Sequence, residues 1–194
     1  MIRLDEMGPD GAKSFPGRRL VRPDPAGERR ARAPREADYG RRGGGYVFGA
    51  FVPVTGAALA APSRGRTIAS WVDFLDRVDG WVDPTAGRIY AVLDNLSTHR
   101  ALDALLWALA HPRWEFVFPP TSAASLNLIE PWWKILRSLA LKGRRFGTWA
   151  EVCHAVEAAT GSWNAHRHPF VWGRRRKRRP AARPAGVARL PMAG

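Results

Sequence analysis

Two acidic residues, Asp94 and Glu130, lie in sequence contexts that favour metal-dependent chemistry. Asp94 ends the apolar run Ala91-Val92-Leu93, and Glu130 follows Leu128-Ile129 after 35 intervening residues. A strand that ends in an Asp and a helix with a Glu in its first turn can bring two carboxylates together. Carboxylate oxygens are ligands that suit Mg²⁺ or Mn²⁺. The spacing therefore predicts a metal-binding carboxylate pair.

A third carboxylate, Asp5, lies in Ile2-Arg3-Leu4-Asp5-Glu6, where a short apolar stretch again ends in an acid. Glu6 is the nearest rival, but alternation along a strand turns it to the opposite face. Two metal ions about 3.5–4 Å apart need a bridging carboxylate and at least one further acid each. Asp5 is the bridging candidate, and three such acids favour phosphoryl-transfer chemistry on nucleic acid.

Each acid also has a structural interpretation. Asp94 followed by Asn95 is compatible with a turn and helix cap, and Glu130 lies three residues after Asn127, which is the spacing of a capping box. Three further acids have helical spacing that indicates an ordinary solvated helix face: Asp73, Asp76 and Asp79.

The charge balance favours a polyanionic partner. The 194 residues include 31 Lys and Arg against 17 Asp and Glu, a formal charge of +14. Such a charge promotes binding to phosphates through counterion release, although ribosomal, heparin-binding and membrane-surface proteins share it. DNA is the expected partner. The residues expected to contact it are His99 and Arg100 near Asp94, and Lys134, Arg137, Lys142, Arg144 and Arg145 beside Glu130.

The remaining composition limits the class of protein. A single Cys153 excludes an intramolecular disulfide and a Cys-based zinc cluster. No stretch approaches the ~20 apolar residues of a membrane span, so we expect a cytoplasmic, nucleoid-associated protein. No convincing Ser-His-Asp or Cys-His arrangement indicates a covalent nucleophile.

The apolar pattern predicts an α/β fold with a mixed sheet: strands first, including a hairpin, and then alternating helices and strands. The hairpin spans 46–61, and the later strands are 88–94 and 114–118. Helices are predicted from Thr67, from Ser97 or Thr98, over 127–141 and over 148–163. Leu102, Leu105, Leu106 and Leu109 are expected to form the buried stripe of the second helix. We expect one domain over 1–172, with a loop-rich segment at 8–45 and a strand signal at 19–21, and a basic, disordered tail at 173–194.

Taken together, the acidic motifs resemble those of the DDE-superfamily transposases, in the insertion-sequence and mariner-like branch. The resemblance rests on Ile2-Arg3-Leu4-Asp5-Glu6, on Val92-Leu93-Asp94-Asn95-Leu96-Ser97-Thr98-His99, and on Pro119-Pro120 through Leu126-Asn127-Leu128-Ile129-Glu130. Asn164 with His168-Pro169-Phe170-Val171-Trp172 is similar to the C-terminal signature of that family.

This resemblance implies a ribonuclease H-like catalytic domain, with Asp5 on the central strand, Asp94 on the adjacent parallel strand and Glu130 on a helix across the sheet. It also implies two Mg²⁺ or Mn²⁺ ions, DNA strand cleavage and strand transfer, and a homodimer. The family usually has an N-terminal helix-turn-helix region, and this sequence begins four residues before Asp5, so we expect no end recognition from this polypeptide alone. Two alternatives remain open: a non-catalytic DNA-binding or regulatory remnant, and a ribonuclease H-like nuclease acting on RNA or hybrids.

Overall fold

A five-stranded mixed sheet forms the centre of the computed structural model, which describes residues 1–17, 38, 42–94, 99, 101–119 and 128–170. Helices cover both faces of the sheet. The strands are β1 (Ile2–Gly11), β2 (Ser14–Phe15), β3 (Gly44–Val52), β4 (Ala57–Ser63), β5 (Ile89–Val92), β6 (Trp114–Val117) and β7 (Arg144–Arg145). The helices are α1 (Ile68–Trp81), α2 (Leu102–Ala110), α3 (Ile129–Ala140) and α4 (Trp149–Ala165).

The strand order of the sheet is β4-β3-β1-β5-β6, so β1 is central. β1 is antiparallel to β3 and parallel to β5, and β5 is parallel to β6. The predicted hairpin is present as β3 and β4. The mixed parallel and antiparallel pairing confirms the predicted fold class, and β2 with β7 forms a separate two-stranded ribbon.

β1 is longer than the sequence pattern predicts. It continues past Glu6 to Gly11, into the segment expected to be loop, because β3 supplies hydrogen-bonding partners as far as Gly44. The register shifts between Met7 and Asp10, and such an irregularity accommodates a proline, which has no N–H to donate. The strand signal at 19–21 and the tail at 173–194 lie outside the described residues.

The two faces of the sheet bury different hydrophobic clusters. On one face, Leu4, Phe48 and Leu93 pack with α1. On the other, Val47 and Phe51 pack with α3 and α4. Because side chains alternate along a strand, Leu4 and Asp5 face opposite clusters. Asp5 on β1 and Asp94, which follows β5, therefore belong to the α3 side.

The buried face of α2 differs from the prediction. The four leucines of the predicted inward stripe are exposed: Leu102 (69%), Leu105 (43%), Leu106 (52%) and Leu109 (78%). Ala104 and Trp107 are buried instead, because the small Ala104 and the wide Trp107 ring together fill the contact with α1 and β6. The cap also differs, since Ala101 precedes the helix without a side-chain cap, while Ser97 and Thr98 lie outside the described residues.

α3 begins at Ile129 and tolerates Pro131 because Pro131 falls in the first turn, where backbone N–H groups have no intrahelical acceptor. Its buried side includes Ile129, Trp132, Trp133 and Leu136, whereas Leu139 is 50% exposed. The chain leaves the helix through Gly143, at a φ of +80° that favours glycine.

The segment that resembles the family's C-terminal signature packs against the hairpin. Asn164 on α4 donates from Nδ2 to the Ala58 carbonyl at 2.7 Å and accepts at Oδ1 from the Ala58 N–H at 3.0 Å. The Phe170 N–H donates to the Pro53 carbonyl, and its ring meets Phe51 edge-on. Residues 171 and 172 lie outside the described part. Within that part, no helix is both long and apolar enough to cross a bilayer.

Two acids of α1 are structural anchors, and not merely members of a solvated face. Asp76 accepts from Trp107 Nε1 at 2.6 Å. Asp79 accepts at Oδ1 from Trp114 Nε1 at 2.6 Å and from Arg113 Nη2 at 2.6 Å. These bonds attach α2 and β6 to α1 at the edge of the sheet.

Replacing Asp79 is therefore expected to loosen this edge. We predict that Asp79→Ala lowers the free energy of unfolding by about 2–3 kcal/mol, since hydrogen bonds to a charged group are lost together. Urea denaturation measures the change. Asp73→Ala, on the exposed side of the same helix, should stay within about 0.5 kcal/mol of wild type. Equal effects of the two variants would contradict the anchoring role.

Candidate active site

Asp5 and Asp94 lie side by side at the junction of β1 and β5. The parallel register pairs Ile2 with Ala91 and Arg3 with Val92. Continued for two residues, the same register brings Asp94 level with Asp5, and equivalent positions on parallel neighbours face the same side of a sheet. The negative charge of Asp94 makes a small contribution to raising the pKa of Asp5, in keeping with this register.

Asp5 is enclosed, with only 8% of its surface exposed. Burial raises its pKa from an ordinary value of 3.8 to about 7, and the charges of Glu6 and Asp94 act in the same direction. Two hydrogen bonds lower its pKa in opposition to burial: Trp133 Nε1 donates to Asp5 Oδ2 at 3.2 Å, and the backbone N–H of Glu6 makes the smaller contribution. The carboxyl group of Asp5 therefore binds a proton, or a cation in its place, more readily than an ordinary surface acid does.

Trp133 reaches Asp5 because Gly49 leaves space for its ring. Gly49 is opposite Asp5 in the antiparallel register of β1 and β3. A Cβ at position 49 would overlap Cη2 of Trp133 and come within 2.7 Å of Cζ2. Neither Trp133 nor Gly49 is among the site residues predicted from the sequence. The available signal was that a buried indole N–H usually has a hydrogen-bond partner.

Asp94 is held by His99 from the opposite side of the sheet. His99 Nδ1 lies 2.7 Å from Asp94 Oδ1, and its Nε2 lies 3.2 Å from Glu6 Oε2. Arg66 Nη1 completes the group at 2.9 Å from Glu6 Oε1. Glu6 thus faces away from Asp5, as strand alternation predicts, and serves as a buried counter-ion.

His99 is 0% exposed and its ring lies 4.2 Å from the Trp71 ring, centroid to centroid. Burial lowers its pKa, but contacts with Asp94 and Glu6 outweigh this and raise the pKa from 6.5 to about 9. His99 is consequently charged at neutral pH and bridges two carboxylates. The sequence predicted that His99 contacts DNA, but a fully buried ring has no surface to offer a phosphate. Arg100 lies outside the described residues.

Glu130 lies in the first turn of α3, three residues before Trp133, with an exposed side chain. Residues three apart on a helix share a face, so Glu130 is one turn from the residue that contacts Asp5. Among the described residues, no three His, Cys, Asp or Glu side chains are gathered closely enough to hold a metal ion. The structure thus brings two of the three predicted acids together and leaves Glu130 at the edge of the site.

The basic residues predicted beside Glu130 differ in their surroundings. Lys134 and Lys142 are exposed, and Arg144 and Arg145 form the exposed strand β7. Arg137 is half-exposed but pairs with buried Asp10 at 3.0 Å, so part of its charge serves the fold. These side chains lie along α3 and the turn that follows it.

The residues present fit a divalent cation in chemical terms. Asp5 and Asp94 are neighbouring hard oxygen donors, and the pKa of Asp5 is raised mainly because burial disfavours its charged form. A divalent cation at this position would stabilise that charged form. Glu130 would have to turn inward to join the two aspartates.

The strand order and the flanking helices define a ribonuclease H-like domain. A family model described as "DDE superfamily endonuclease" matches residues 2–153. Because this match spans most of the chain, the chain belongs to the DDE superfamily endonucleases. No curated protein sequence matches it.

Among the solved structures that match are complexes of the Mos1 transposase, and their likeness concerns the fold. A pre-cleavage Mos1 transpososome superposes with a TM-score of 0.63 at 15% identity, covering 87% of this chain and 49% of that chain. A Mos1 paired-end complex with the left transposon end gives 0.62 at 16% identity, covering 87% and 48%. A Mos1 mariner paired-end complex with Mn gives 0.60 at 15%, covering 87% and 48%. The chain spans about half the length of these transposase chains.

The buried carboxyl group of Asp5 should make stability depend on pH. Its folded-state pKa of about 7 lies above its ordinary value of 3.8. The stability that protonation of Asp5 contributes is therefore fully present below pH 3.8 and is lost as pH rises through 7. Asp5→Asn stays neutral and keeps an oxygen for Trp133. We predict that, in metal-free buffer at pH 8, this variant melts about 5 °C above wild type. The difference should vanish near pH 4, as measured by calorimetry, whereas parallel pH curves would refute the prediction.

The charged His99 should act in a higher pH window. Its folded-state pKa of about 9 exceeds 6.5, so its stabilisation is complete below pH 6.5 and is lost as pH rises through 9. We predict that His99→Gln is clearly less stable than wild type at pH 6 and that the gap narrows by pH 10. Urea denaturation across this range measures it, with exposed His154→Gln as the control. A gap that does not change with pH would exclude the charged bridge.

Proposed function

We propose that this chain is the catalytic domain of a DNA transposase, which cleaves DNA strands and joins them in a divalent-metal-dependent reaction. The observation that carries the proposal is the pair of adjacent carboxyl groups, Asp5 and Asp94, at the centre of a DDE-family domain. Matching transposase structures that contain transposon ends, one of them with Mn, support the same choice.

Asp5, Asp94 and Glu130 are the residues proposed to hold two Mg²⁺ or Mn²⁺ ions, with Asp5 as the bridging ligand. When bound, such ions supply Lewis-acid stabilisation of the charge that develops on a phosphodiester during in-line displacement. The chain contributes the positions of its own donors. Trp133 holds Asp5, His99 holds Asp94, and the first turn of α3 carries Glu130 along the same side of the sheet.

DNA is the proposed partner, and the surface beside α3 is its proposed path. Lys134 lies one turn after Glu130 on the helix, where it can neutralise a phosphate next to the site. Lys142, Arg144 and Arg145 continue the exposed positive surface beyond the helix. The formal charge of +14 supports this proposal. We further propose that the protein acts in the cytoplasm and that it is a homodimer, since joining the two ends of a transposable element requires two active sites.

A second candidate function is DNA binding without catalysis. One observation favours it: in the described part of the chain, Glu130 is exposed and does not join Asp5 and Asp94 in a group of three. Such a protein would bind DNA in a salt-sensitive manner with no requirement for a divalent metal.

Nicking and joining of supercoiled and linear DNA in Mg²⁺ or Mn²⁺ distinguishes these functions. We predict metal-dependent activity in the wild type and a loss of at least about a hundredfold in Asp94→Ala, because several kcal/mol of transition-state stabilisation disappear. Glu130→Gln should lose activity similarly. Gel assays of initial rates measure both.

The matched control is Asp73→Ala, which removes an exposed acid of α1 that has no role in the proposed site. It should cleave like the wild type, and all variants should keep the wild-type circular dichroism spectrum. Equal activity of Asp94→Ala and wild type would remove Asp94 from the mechanism. DNA binding without any metal-dependent cleavage by the wild type would establish the second candidate.

A further inference from the structure

We propose that Trp133 and Gly49 form a positioning pair for Asp5, in which the indole N–H orients the carboxylate and the glycine provides the space that lets the ring reach it. This inference rests on the proposed function, because it assigns the pair to the metal site of that function. Trp133 is a positioning residue, since it acts through Asp5.

The contact between Trp133 and Asp5 is enclosed. The indole Nε1 lies 3.2 Å from Asp5 Oδ2, and the two residues are only 4% and 8% exposed. An indole has one N–H and no acceptor, so it can bond the carboxylate in only one sense. Exclusion of water strengthens such a bond to a charged group and fixes its direction.

The Trp133 ring is itself fixed by its neighbours. Its centroid lies 4.8 Å from the centroid of Trp132, which is stacked 5.9 Å from the Phe51 ring. Both Trp132 and Phe51 are 0% exposed. The indole N–H is therefore presented to Asp5 from a rigid aromatic layer, which is what a positioning role requires.

Gly49 is the second half of the pair. It is the residue of β3 directly opposite Asp5, and a Cβ there would overlap Cη2 of Trp133. The obstacle is a ring held by other rings, and not the end of a flexible side chain. Even an alanine at position 49 would displace Trp133 from Asp5.

The pair also couples Glu130 to Asp5. Glu130 precedes Trp133 by three residues on the rigid helix α3, so the position of Trp133 sets the position of that turn. A single hydrogen bond thus relates the helix that carries one proposed ligand to the strand that carries another.

Trp132 provides a matched control. It is adjacent on the helix, equally buried, and its Nε1 has no hydrogen-bond partner within the described residues. Trp132→Phe and Trp133→Phe remove the same atoms from neighbouring aromatic positions. Only the second removes a hydrogen bond to Asp5.

The first measurement is calorimetric titration of the full chain with Mn²⁺. We expect Trp133→Phe to bind Mn²⁺ about tenfold more weakly than wild type, as expected for one lost hydrogen bond to a charged group. Trp132→Phe should stay within about twofold, a difference too small to represent such a bond. Thermal melts verify that both variants are folded, so that a change of affinity at similar stability reports on the position of Asp5.

The second measurement tests the glycine. Gly49→Ala should weaken Mn²⁺ binding by a similar factor, whereas in a Trp133→Leu background it should have little further effect, because the smaller side chain removes the clash. Non-additivity of this kind identifies residues that act through one contact. Independent, additive effects would overturn the role assigned to Gly49.

The third measurement needs no metal. The indole ¹H–¹⁵N resonance of Trp133 should shift in Asp5→Asn, while that of Trp132 should move much less. If Trp133→Phe and wild type bind Mn²⁺ equally, and the Trp133 resonance does not shift in Asp5→Asn, this inference fails and the proposed function stands. If the wild type binds no Mn²⁺ while the resonance responds, the pair exists as a structural contact and the proposed metal site is overturned, together with the positioning role.

Discussion

The burial of Asp5 beside a second carboxyl group, that of Asp94, is the constraint on which the arrangement of this site depends. β1 and β5 are parallel and in a register that brings Asp5 level with Asp94. Burying one acid beside another is unfavourable, and the pKa of Asp5 is raised chiefly by burial, with smaller contributions from the charges of Glu6 and Asp94. The polar groups that contact Asp5 and Asp94 reduce this cost.

The response differs between the two sides of the sheet. On the α3 side, Trp133 gives Asp5 a neutral hydrogen-bond donor and leaves its negative charge available. On the α1 side, His99 and Arg66 supply positive charge, and Glu6 balances them. The charge of Asp94 is thus partly neutralised by His99, whereas Asp5 receives only a neutral hydrogen-bond donor. This difference suits a site in which the central carboxylate binds a cation, and it agrees with Asp5 as the proposed bridging ligand.

The position of each helix on the sheet also explains which predictions from the apolar pattern were correct and which were wrong. The helical period predicted the presence of α1 and α3 correctly, because each helix packs one apolar face on the sheet. The same period failed on α2, whose leucines point outward at the edge of the sheet. There Trp107 and Ala104 fill the contact, and Asp76 and Asp79 fix it through hydrogen bonds that periodicity cannot register.

The sequence by itself determined the fold class, the family resemblance and the two aspartates that come together, because strand ends, turn residues and apolar periods are local properties of the chain. The tertiary structure decided how those acids are supported. Gly49, Trp133 and His99 are 44, 128 and 94 positions from Asp5. Their contacts arise only when strand register and helix packing bring distant segments together. Register is a cooperative result of the whole sheet, so the environment of Asp5 could not be read from the residues beside it.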